Sequence, residues 1–132
     1  NPTNGNGAYL TPGGVWTNAS SRTFKENFTD LDRRALFNAI ASLDITSWNY
    51  KGSAERHIGP VAEDFVSLFD VGATTDSGER ENTHLAVGDV AGVALAGVKE
   101  LLTEIDDLKS QNAELQKRLD QLEAALSARV GN

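Results

Sequence analysis

Three observations predict an α+β fold, a small knob of helices and strands followed by one long C-terminal helix. Apolar residues recur at alternating spacings of three and four through residues 98–129, the repeat of a coiled-coil seam. A β-branched and aromatic run, Ile45 to Tyr50, precedes the turn residues Lys51-Gly52-Ser53, and Arg56 to Gly59 follows as a second, short strand. Helical stripes precede and follow that pair, at Ala35, Leu36, Ala39 and Ile40, and again at Val61, Ala62, Phe65, Val66 and Phe69.

In heptad letters Val98, Ile105, Asn112, Leu119 and Leu126 occupy a, while Leu101, Leu108, Leu115 and Leu122 occupy d. A 3.5-residue repeat held over about four heptads departs from a straight amphipathic helix and demands supercoiled partners. The chain is therefore expected to be an oligomer. Glu104 at g can reach Lys109 at e of a neighbour, and Arg118 at g can reach Glu123 at e; both pairs favour parallel, in-register chains. Asn112 fixes register at a cost in stability, and Ile at a with Leu at d leans towards two strands. Against that, Arg118-Leu119-Asp120-Gln121-Leu122-Glu123 resembles the Arg-apolar-x-x-apolar-Glu signature of parallel trimers. There the Arg stem covers the seam and its fork holds a neighbour's Glu. The coil alone leaves two and three strands open.

Read in order, residues 1–19 are an upstream linker, 20–88 the knob, and 89–132 the long helix and coil. Tyr9-Leu10 and Val15-Trp16 flank Thr11-Pro12-Gly13-Gly14, which suits a hairpin with a type II turn. Asp30 or Asp32 can cap the first helix. Trp48 and Tyr50 share one face of the first central strand, and Arg56 to Gly59 forms the second. Pro60 suits the first turn of the next helix. Residues 70–84 read as a surface loop, 85–87 as a short strand, and Asp89 as the cap of the final helix. Gly92 and Gly97 weaken that helix, so close approach of backbones from different subunits is expected there.

The totals exclude several classes. A net charge of -7 argues against binding a phosphate backbone. With no cysteine and only two histidines there is no metal-ligand spacing, and no cofactor motif is present. No apolar run approaches the ~20 residues of a membrane span. The chain begins at Asn1 without a Met, which reads as the C-terminal piece of a longer protein.

Residues 20–28, Ser-Ser-Arg-Thr-Phe-Lys-Glu-Asn-Phe, hold the one candidate for chemistry. Ser20 and Lys25 are a nucleophile and base if burial lowers the lysine's pKa. Five residues apart, they lie on opposite faces of a strand and well apart on a helix. They meet only if the chain bends or if the partner comes from another subunit.

Four blocks in order resemble one family. Residues 20–27 are similar to its Ser-Asp-x-x-x-Lys-Glu-Asn opening, and Trp48-Asn49-Tyr50-Lys51 to its aromatic strand ending in Tyr-Lys. His57-Ile58-Gly59-Pro60-Val61-Ala62-Glu63-Asp64 resembles its Gly-x-Ile-Ala-Gln/Glu-Asp/Glu turn into a helix, and Val98-Lys99-Glu100-Leu101 its entry to a terminal coil. The family is the intramolecular chaperone domain at the C-termini of phage endosialidases, tail spikes and tail fibres, and in relatives of the myelin regulatory factor. The resemblance implies a parallel homotrimer that registers three chains for folding of an upstream fibre, on a phage tail or a bacterial surface. It also implies self-cleavage between Ala19 and Ser20 in many members, with Ser20 as nucleophile and Lys25 as general base. Ser21 stands where the family has Asp, so an uncut member is expected here. An active autoprotease and a receptor-binding fibre tip are the alternatives.

Overall fold

The computed structural model describes residues 7–131. The chain divides into two compact units, Asn1–Leu31 and Asp32–Asn132.

In the first unit, β1 (Ala8–Leu10) pairs antiparallel with β2 (Trp16–Asn18), with Tyr9 opposite Thr17. The hairpin is as expected, but its turn is not type II. The Gly14 N–H bonds the Thr11 carbonyl at 2.9 Å, and the positive φ falls on Gly14, at +81°, rather than on Gly13. A left-handed glycine after the turn matches the twist of the paired strands better than a type II turn would. The chain then enters a single 3-10 turn, Arg22–Phe24. Arg22 lies 4.9 Å over the ring of Phe28.

The second unit holds three helices and one two-stranded sheet. Helix α1 (Arg33–Ser42) starts at Asp32, whose Oδ1 accepts the Ala35 N–H at 2.9 Å, so Asp32 and not Asp30 is the cap. Strands β3 (Thr46–Trp48) and β4 (His57–Gly59) pair antiparallel, with Trp48 opposite His57. Their connection turns at Gly52, where φ is +81°, and Arg56 ties it by donating to Ser47 Oγ at 2.8 Å and Asn49 Oδ1 at 3.2 Å. Helix α2 (Ala62–Phe69) follows, with Glu63 and Asp64 in its first turn, where carboxylates suit the helix dipole. Val61 is its cap position, so Pro60 lies one residue outside the helix rather than in its first turn. Proline disfavours the helical conformation in the residue before it, Gly59, and so separates β4 from α2. Phe65 and Val66 are the buried face of α2, and Phe65 is 1% exposed.

Residues 70–84 are a loop with order of its own. Arg80 donates to Asp70 Oδ1 at 2.7 Å, to the Gly72 carbonyl at 3.1 Å and to Thr74 Oγ1 at 3.2 Å, and Thr74 bridges Arg80. No strand forms at 85–87. Helix α3 (Val87–Val130) already begins there, with Ala86 as cap position and Asp89 inside the first turn rather than capping it. A carboxylate in the first turn favours helix instead.

Helix α3 has 44 residues, about 66 Å at 1.5 Å each. Helix α1 packs antiparallel on its N-terminal part: Arg34 reaches Glu100 and Glu104, while Ile40 lies over Gly97. A Cβ on Gly97 would sit 2.6 Å from Ile40 Cδ1. Within the single chain, the close approach at Gly97 is to its own α1. Gly92 has open space around it. Two outcomes follow for thermal unfolding. Gly92→Ala gains helix propensity and is expected to stabilise by about 0.5–1 kcal/mol. Gly97→Ala must displace Ile40 and is expected to fall about 1–3 kcal/mol below it.

Candidate functional site

Ser20 and Lys25 meet. Lys25 Nζ donates to Ser20 Oγ at 2.7 Å, across a separation that neither a strand nor a helix would close. The bend comes from the 3-10 turn between them. Ser21 caps that turn, its Oγ accepting the Thr23 N–H at 3.3 Å and sharing a 2.9 Å hydrogen bond with Thr23 Oγ1. An Asp at this position could accept the same N–H. Ser21 therefore keeps the bend that brings the pair together, but contributes no negative charge beside Lys25. Ser20 and Lys25 are exposed, and Ala19 is half-buried. Burial, which general-base work by a lysine requires, is not supplied around Lys25 by the single chain.

The residues of the heptad seam all lie on α3, and all are open to solvent. Val98, Leu101, Ile105, Leu108, Leu115, Leu119, Leu122 and Leu126 are 45–62% exposed. Asn112, Arg118 and Glu123 are exposed beside them. Among the described residues only Phe65, Val66 and Ala96 are buried apolar side chains. Apolar surface left in water at about 25 cal/mol per Å² drives association.

The opposite side of α3 is covered by its own chain. Val93, Ala96, Gly97 and Glu100 are buried or half-buried in the region that α1 packs against, and Glu100 is 8% exposed. Arg34 stands 3.7 Å from Glu100 and closer to Glu104. Glu104, expected to pair with Lys109 of a neighbour, is therefore already held by Arg34 of its own α1. The role of Arg34 was not legible in the sequence, because an Arg and a Glu seventy residues apart carry no periodic signal.

A second feature was also missed. An open groove of about 590 Å³ is lined by Trp48, Tyr50, Ile58, Val61, Val87 and Val90, with Thr83 and His84 at its edge. Trp48 stacks 4.8 Å from His57 and edge-on 5.1 Å from Tyr50. Trp48 Nε1 is shielded from solvent without a hydrogen-bond partner. The shared face of Trp48 and Tyr50 pointed to a contact here; Val87 and Val90 did not, because they come from the far side of the loop.

Residues 20–71 match the family model described as chaperone of endosialidase. The likeness to this family is confined to that segment. It opens on Ser20 and runs through α1, β3, β4 and α2, ending at the start of the Arg80-tied loop. The chaperone-of-endosialidase assignment carries a general role in chaperoning and assembly. No curated protein and no solved structure matches the chain. No helix among the described residues is long and apolar enough to cross a membrane.

The loop beside the groove is expected to respond to acid. The hydrogen bond and charge of Arg80 hold the Asp70 carboxyl below its ordinary value. Hydrogen bonds from the Thr83 hydroxyl and N–H hold Glu81 at about 2, with His84 adding to the effect. Both folded values lie below the unfolded ones. Their contribution is then complete above the unfolded value and is lost as pH falls through the folded one. For Glu81 that window runs from 4.5 down to about 2. In a Trp16→Phe chain, Trp48 emission is expected to change across this window, and the change is expected to shrink in Glu81→Gln.

Proposed function

We propose that the chain is an intramolecular chaperone and trimerisation domain, one that holds three copies parallel and in register while an upstream fibre of the same chain folds. The fibre belongs to a phage tail or a bacterial surface. The observation that carries the reading is the exposed a/d seam of α3, unbroken from Val98 to Leu126 except at Asn112. Such a seam is stable in water only when partner helices cover it. Arg118 and Glu123, spaced to bridge neighbouring chains, support three strands. The chaperone-of-endosialidase segment supports the role in assembly.

A second reading, favoured by the Ser20–Lys25 contact, is self-cleavage. Lys25, neutral, would take the Ser20 hydroxyl proton as Oγ attacks the Ala19 carbonyl. The peptide bond between Ala19 and Ser20 would break, leaving Ala19 as an ester on Oγ and the Ser20 nitrogen as a free amine. Water would then hydrolyse the ester to give the Ala19 carboxylate. Burial of Lys25 by neighbouring chains is a condition of this route. The uncut chaperone is the preferred reading, because Lys25 is exposed and Ser21 lacks the charge of the family's Asp. A receptor-binding tip rests on no specific contact in the structure.

Light scattering is expected to return the mass of three chains, and the paired change Leu108→Gln with Leu115→Gln to return one. Denaturing electrophoresis of a version extended upstream of Asn1 is expected to show a single band. A fragment beginning at Ser20 that disappears in Ser20→Ala would replace the uncut reading with the autoprotease.

A further inference from the structure

Beyond the a/d seam, α3 carries two exposed leucines at heptad position e. At e stand Leu95 and Leu102, then Lys109, Gln116 and Glu123, with Val130 at the last residue of the helix. Leu95 is 64% exposed and Leu102 57% exposed, so neither has an apolar partner in its own chain. The change from leucine to polar residues coincides with the end of the α1 contact. Arg34, near the start of α1, reaches no further along α3 than Glu104.

In a parallel coil, g of one helix faces the e position five residues later on its neighbour. The same rule pairs Arg118 with Glu123, both exposed, so charge complementarity sets a second copy, parallel and in register, as the occupant. Under that register Leu102 faces Gly97 of the adjacent copy. Gly97 has no side chain, and Ile40 of α1 stands over it. Leu95 likewise faces Val90, which lines the groove beside Trp48. Below Glu104, where no α1 covers the helix, the e residues of the coil, Lys109, Gln116 and Glu123, are polar.

We propose that Leu95 and Leu102 form a docking face for the α1–α3 contact of the adjacent copy, so that each α1 is held between its own α3 and a neighbour's. This rests on the parallel-coil reading and adds to it that the knobs, and not only the stalks, are joined between copies. A tip of three independent knobs on one coil would need no leucine at these positions.

Amide hydrogen exchange on the full chain tests it, with mass by light scattering measured in parallel. Leu95→Gln with Leu102→Gln leaves every a and d residue in place and is expected to keep the wild-type mass. Exchange in Arg33–Ser42 is expected to quicken about tenfold or more, as leucine burial is lost from over α1, while residues 115–126 are unchanged. Lys109→Gln, one heptad further on, is expected to leave α1 as protected as in the wild type. Dissociation of the double variant would itself put the two leucines in the interface, and the single change Leu102→Gln would then supply the exchange comparison. Unchanged exchange in α1 with the mass retained would overturn the docking face and leave the coil standing. A wild-type mass of one chain would overturn both.

Discussion

Helix α1 lies against α3 at Gly97, and most of what the second unit does depends on that contact. A glycine lets Ile40 approach the α3 backbone, and Arg34 then reaches Glu100 and Glu104 one to two turns further on. Glu100 is a buried carboxylate, and a buried charge needs a partner to be tolerable. Arg34 is that partner. The contact uses up one side of α3 within a single chain and so decides which side is left for others. Helix α2 adds its own small core at Phe65 and Val66.

The consequence is a helix with two unlike faces. One is buried by α1, while the a/d seam, through Leu126, remains in water. A chain with so few buried apolar side chains is a poor candidate for standing alone, since folding must offset roughly 1–2 kcal/mol of backbone entropy per residue. Under the proposed function that missing burial comes from copies of the same helix, and the seam acts as the clamp that brings their chain ends together.

The candidate chemistry is local by comparison. Whether Ser20 can use Lys25 depends on a single 3-10 turn, and that turn depends on a hydroxyl at Ser21. The family's Asp could serve the same capping bond, so its replacement by Ser separates two properties that the carboxylate would combine. Geometry is kept; charge is not. This is why the short distance and the expectation of an uncut chain are compatible.

Much of the architecture was legible from residue pattern alone. The seam of α3, the β1–β2 hairpin, the β3–β4 pair around Gly52 and the two short helices were all marked by periodicity or by turn residues, which act over a few positions. The errors came where local signals were close to balanced. Val87 read as strand by its β-branched side chain but opens α3, with Asp89 in the first turn; Pro60 read as helix but ended just outside it. The turn at Gly13-Gly14 was placed correctly and its type was not, because two adjacent glycines offer two sites for a positive φ. Sequence by itself supplied the expectation that α3 has partners, since a 3.5-residue apolar repeat suits a supercoiled bundle rather than a straight helix. Only the tertiary structure decided that Gly97 serves α1 of its own chain, that Arg34 neutralises Glu100 and holds Glu104, and that Ser20 lies within reach of Lys25. Each of these joins residues whose spacing matches neither a helix nor a strand, and their distance is set by how the chain folds back rather than by its local period.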